Sequence, residues 1–226
     1  MKDGDFFDEN GVVSFTGDGS RINAPRVAKI ESYWNEVRGN RLVPTRSEID
    51  PRGLTGALSH AFVLERIAKG LARFRVSGSH LTDLLGLEAR GMPLSTMFTP
   101  AARDTLADAV ESAFDDPSII HMEVSAETGF GRPALSGRLT LLPMRSDLGD
   151  VSRLLGGLEM AGEIGRAPRR LQIEAQARRG LTGQGEPQAF SMKPQSARPT
   201  SSSRSGSGTT GETRRQGFLT LVVDNT

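Results

Sequence analysis

The chain has 226 residues, of which 36% are hydrophobic and 24% charged, with a formal net charge of +1. That is enough for one globular domain with a real core plus extensions, and the overall charge selects no partner. There is no cysteine, which excludes disulfides, thiol nucleophiles and cysteine-held metal, and no run approaches the roughly 18 apolar residues of a membrane span, so a cytoplasmic protein is expected.

Residues 1–22 are polar and glycine-rich, with one short apolar run at Val12-Val13-Ser14-Phe15, and are expected to form a flexible arm. Asp3, Asp5, Asp8 and Asn10 do not fall at the alternate positions of a calcium loop, and no glutamate closes one. Asn23 then offers a helix cap, Pro25 suits a first turn, and Val27, Ile30, Trp34 and Val37 recur at helical spacing until Gly39. This amphipathic helix is expected to flank the main domain, docking its apolar stripe on a core or on its twin in a homodimer.

Residues 41–51 are extended by their prolines, and Asp50-Pro51 cap and open a short helix carrying Leu54 and Leu58. Arg46 and Asp50 are expected to pair. A hairpin follows over residues 61–78, turning at Ala68-Lys69-Gly70, with Ala72, Phe74 and Val76 on one face and Arg73, Arg75 and Ser77 on the other. His80 to Leu85 reads as a short helix closed by Gly86, and a longer helix starts at Thr99-Pro100 and ends at Asp115-Asp116-Pro117. Three strands complete the domain: Ile120, Met122, Val124 and Ala126 alternate in the first, Leu135, Leu139 and Leu141 in the second, and Leu154, Leu158 and Met160 in the third.

Tyr33-Trp34, then Gly39, Arg41, Pro44, Arg46, Ile49, Asp50 and Pro51, then the pair of strands ending Phe74-Arg75-Val76 and Gly78, resemble a group of short alphaproteobacterial PAS-domain proteins once catalogued as a domain of unknown function. The resemblance covers residues 30–162. It implies an α+β, PAS-like fold: a five-stranded antiparallel sheet in strand order 2-1-5-4-3 with helices packed on one face. It brings no catalytic residue, because such modules sense ligands or mediate contacts.

If a small apolar ligand binds between sheet and helices, Phe74, Val76, Met97, Phe98, Met122, Leu141 and Leu158 line its space; the alternative is that these side chains fill that space completely. His80 is the one histidine placed to hold haem, but a lone histidine at a helix start is more often capping or surface, so no cofactor is expected. The flavin photochemistry of PAS modules needs a cysteine, and no metal set, P-loop or nucleophile elbow is present.

After the domain at residues 23–162, residues 163–182 carry Arg166, Arg169, Arg170, Arg178 and Arg179 and are expected to form a basic exit helix. That helix is the basis of an alternative reading, a binder of nucleic acid or anionic surfaces, against which stands its lack of aromatic stacking residues. Residues 183–216 are expected to be a disordered linker, and in residues 217–226 Phe218, Leu219, Leu221 and Val223 form a strand-like peptide suited to adding itself to a sheet edge. The expected function is that of a non-catalytic sensory or regulatory module acting on an unidentified protein partner.

Overall fold

The computed structural model describes residues 22–181. The expected linker at 183–216, the peptide at 217–226 and nearly all of the N-terminal arm lie outside the described residues. Among these residues no helix is long and apolar enough to cross a membrane.

The chain opens with helix α1 (Pro25–Arg38) and passes through three short 3-10 turns (Arg46–Glu48, Pro51–Leu54, Leu58–His60) into β1 (Ala61–Ala68) and β2 (Leu71–Ser77). Helix α2 (Ser79–Leu85), two further 3-10 turns and helix α3 (Arg103–Asp115) cross to β3 (Ser118–Ala126), β4 (Ser136–Arg145), β5 (Val151–Ala161) and β6 (Leu171–Gly180). All six strands form one antiparallel sheet in the order β2-β1-β5-β4-β3-β6. The first five strands therefore take the order 2-1-5-4-3 that the resemblance implied.

β6 corrects two expectations, the count of five strands and the basic exit helix over residues 163–182. Leu171, Ile173, Ala175 and Ala177 recur every second residue, which suits a strand, and the edge of β3 offers nine residues of pairing from Ser118 to Ala126. A short arginine-rich helix would have satisfied neither that edge nor the apolar contact of Leu171, which is fully buried in the main core.

The expectation of helices on one face is also revised. On the inner face, α2, α3 and the turns between them pack on Phe62, Leu64, Phe74, Met122, Leu139 and Leu158. On the outer face a second apolar set, Val63, Ile119, Leu142, Met144 and Leu155, is covered by Ile30 and Trp34 of α1. Helix α1 is thus a layer of the domain rather than a flank. The sheet is thinned to admit both layers at Gly156-Gly157 in β5. A Cβ on Gly156 would stand 2.0 Å from the Phe62 ring, and one on Gly157 would stand 3.0 Å from Ile30 Cδ1.

The start of α1 has no capping side chain of its own, so Asn23 does not serve as the expected cap. Its role passes to Glu159 of β5, which accepts the backbone N–H groups of Arg26 (2.8 Å) and Val27 (3.4 Å) and pairs with the Arg26 guanidinium at 2.6 Å. A carboxylate at a helix N-terminus satisfies free donors and faces the positive end of the dipole.

Candidate functional site

Six of the seven side chains expected to line a space between sheet and helices are buried there. Phe74, Met97, Phe98, Met122, Leu141 and Leu158 all lie in the inner core with no exposed surface, and Phe74 meets Phe62 edge-on at 5.4 Å between ring centroids. These six side chains converge as the sequence placed them, on one another. Val76 does not join them. The register shifts between Val63 and Leu64, so that Val63 faces Val76 while Leu64 faces Phe74. The extra residue, Arg75, is a bulge, and it turns Val76 to the outer face.

There Val76 borders a groove of about 440 Å³, lined also by Ile49, Leu54, Leu58, Val63 and Leu155, with Arg46 among its walls. Val63 and Leu155 are buried beneath it, whereas Leu58 and Val76 remain 48% and 51% exposed. Two sides of the groove come from the connection between α1 and β1, and the other two from the beginning of β1 and the end of β2.

That connection is held by most of the residues that carried the resemblance. The Tyr33 hydroxyl donates to the Asp50 carbonyl at 3.1 Å and accepts the Asp50 N–H at 2.8 Å. Gly53 lies under the Tyr33 ring, where a Cβ would come within 2.1 Å. Trp34 is buried and its indole N–H donates to the Pro143 carbonyl at 3.0 Å. Arg41 donates to Glu48 at 2.9 Å and to the Val37 carbonyl at 2.7 Å, and the Pro44 carbonyl accepts from Arg145 N–H. The expected pairing of Arg46 with Asp50 is not made. Asp50 caps the turn opened by Pro51 by accepting Arg52 N–H at 2.9 Å, and the partly buried Arg46 side chain has no hydrogen-bonding or ionic partner among the described residues.

One row along the same face, Glu65 gathers three arginines: Arg73 at 2.9 Å, Arg75 at 3.0 Å and Arg153 at 2.8 Å. Burial works to raise the Glu65 carboxyl, but the hydrogen bond from Arg73 and the charges of Arg153 and Arg75 outweigh it and hold it below the usual carboxylate range. Three cations against one anion leave this part of the face positive.

The histidines are structural in their contacts. The His80 ring stacks on that of His60 at 4.4 Å, and its Nε2 accepts the Met160 N–H at 3.2 Å. Burial, then the neighbouring His60, lowers its pKa to about 4. His121 lies under α1, 3.1 Å from Thr140 Oγ1 and 3.6 Å from Glu31.

The arginines of residues 163–182 are mostly spent within the fold. Arg169 is fully buried and donates to the carbonyls of Ile164, Glu127 (3.1 Å) and Pro133 (2.6 Å). Arg170 reaches the Thr96 carbonyl, Arg178 bonds Ser118 and Asp116, and Arg179 bonds Glu31 of α1 at 2.6 Å. The sequence offers no signal for Glu65 or Glu159, and it places Arg169 on a basic helix rather than in this buried cradle of carbonyls.

Val27, Ile30 and Trp34 were expected as a docking or dimer surface. All three are buried against their own sheet, Val37 is partly buried beside them, and a second copy cannot reach that stripe while α1 stays in place.

A search of curated proteins finds no match. The solved structure titled "The light state structure of the blue-light photoreceptor Aureochrome1 LOV" aligns with a TM-score of 0.34 at 11% identity, covering 46% of this chain and 83% of that one. The identification rests instead on a family model described as "PAS domain", which matches residues 22–159, from the approach to α1 almost to the end of β5. That match spans more than half of the 226 residues and covers the strands found in 2-1-5-4-3 order, and the chain belongs to the PAS domain family.

Proposed function

We propose that the protein is a non-catalytic PAS regulatory module that works by association, with the free edge of β6 as the surface that joins a second copy. The observation that carries this reading is the edge itself. β6 is added to β3 beyond the span of the family match, and at its start Leu171 O accepts Thr99 N–H at 2.9 Å. From residue 172 to residue 180, no described residue hydrogen-bonds to its backbone on the side away from β3. An unpaired edge of that length is a template for strand addition, where backbone bonds supply affinity. A strand of a different protein is the competing occupant. The alternative of an anionic-polymer binder is disfavoured because four of its five arginines already have partners in the fold.

The test is sedimentation velocity of the full chain across a range of concentrations, with Gln176→Pro and Ala177→Pro beside the wild type. Neighbouring residues of an antiparallel strand point their N–H groups to opposite sides, so one of the two prolines removes an outward donor and spares the β3 ladder. The variant that keeps the wild-type melting temperature should remain monomeric where the wild type dimerises. A wild type that stays monomeric throughout, or a well-folded variant that dimerises equally, refutes the reading.

A further inference from the structure

Resting on the regulatory reading above, we infer that the outer-face groove is a binding site for a free anionic amphiphile of the fatty-carboxylate type. The chain of the ligand lies over Val63, Leu155, Leu58 and Val76, and its carboxylate is received by Arg46.

Three observations lead there. The groove, at about 440 Å³, falls within the range of small-molecule sites, and its lining is predominantly apolar. Leu58 and Val76, two of the large hydrophobic side chains left exposed by the described fold, stand on its walls, so an apolar guest removes from water a surface that folding did not. The third observation is charge. Arg46 is partly buried and has no partner among the described residues, while the carboxylates nearest in sequence are engaged, Glu48 with Arg41 and Thr45 N–H, and Asp50 with Arg52 N–H. The arginine excess around Glu65 extends the positive field along the same face. An apolar trough with one uncommitted guanidinium matches a molecule with a single anionic head and a flexible hydrocarbon tail, and a planar guanidinium receives a carboxylate by two parallel bonds.

The position of the groove suits regulation. Its walls include the 3-10 turns that link α1 to β1, so occupancy braces the connection through which α1 is seated on the sheet.

The experiment uses the full chain and sodium dodecanoate below its micelle concentration, followed by methyl NMR, with dodecanol as the uncharged comparator. Dodecanoate should shift the Leu58, Val63 and Val76 methyl groups saturably. Arg46→Gln should weaken dodecanoate at least about tenfold, the scale of one charged hydrogen bond, and leave dodecanol unchanged. Val76→Glu, at an exposed position, should abolish both. Absence of saturable shifts, shifts centred on inner-core residues such as Met97 and Met122, or affinity indifferent to Arg46→Gln would each overturn the inference. Binding confined to phosphatidylglycerol vesicles would overturn it too, since the ligand would then be a bilayer. None of these results bears on the sedimentation test of the β6 edge.

Discussion

At the scale of single residues, several side chains with ionisable groups hold the layers together. Glu159 ends one helix, Arg169 ties three carbonyls, and Tyr33 clasps both backbone groups of Asp50. His80 offers a check on this view. Its ordinary value is 6.5 and burial lowers it to about 4 in the fold. Between those values the unfolded chain holds the extra proton and the folded chain does not, so stability falls as the pH drops through that window, and His80 adds no slope above it. Urea midpoints measured at about pH 7 and about pH 5 should differ less in His80→Gln than in the wild type. His60 and His121 are also lowered by burial, so the comparison with the variant isolates His80. An unchanged slope means that the stacked ring reaches water more freely than its contacts with His60 and Met160 imply. The roles of Glu159 and Arg169 could not be read from the sequence for a plain reason: a lone carboxylate or guanidinium carries no periodicity, Glu159 meets Arg26 133 residues away, and two of the three carbonyls on Arg169 lie 42 and 36 residues away.

At the scale of elements, α1 shows how far a pattern reaches. The spacing of Val27, Ile30, Trp34 and Val37 specifies a helix with an apolar stripe, and the helix runs from Pro25 to Arg38. Periodicity cannot say what covers such a stripe. The answer lies in β4 and β5, where Leu142, Met144 and Leu155 interrupt the expected alternation and present a second apolar face. Because Trp34 fills that face, Trp34→Ala should lower stability by about 3–5 kcal/mol, the usual cost of deleting a buried large aromatic side chain, as read by denaturant unfolding. A loss under about 1 kcal/mol would mean that α1 is only loosely seated. The bulge at Arg75 teaches the same lesson on two strands. Strict alternation assigns Val76 to the inner face with Phe74, and one inserted residue reverses every side chain beyond it. The groove was therefore beyond the reach of alternation alone.

At the scale of the whole molecule, the sixth strand lies beyond the span of the family match. A chain ending at residue 162 retains all five strands of the PAS order, but it loses the buried Leu171, the inner-core contact of Ile173 and the Arg169 cradle. The truncated chain should be less stable by at least about 3 kcal/mol, from the buried leucine and the partly buried isoleucine together, in denaturant unfolding followed by circular dichroism. Equal stability would make β6 an ornament on a self-sufficient domain. By itself the sequence determined the two main helices, the first five strands and the inner core apart from Val76, because each follows from the spacing of apolar residues within one short segment. The tertiary structure alone decided that residues 171–180 pair as a strand, that α1 seats on the outer face, and that Val76 and Arg46 meet at one groove. Those outcomes depend on which edge, face or charge remains unsatisfied once the rest has folded, a quantity that no local stretch of chain contains.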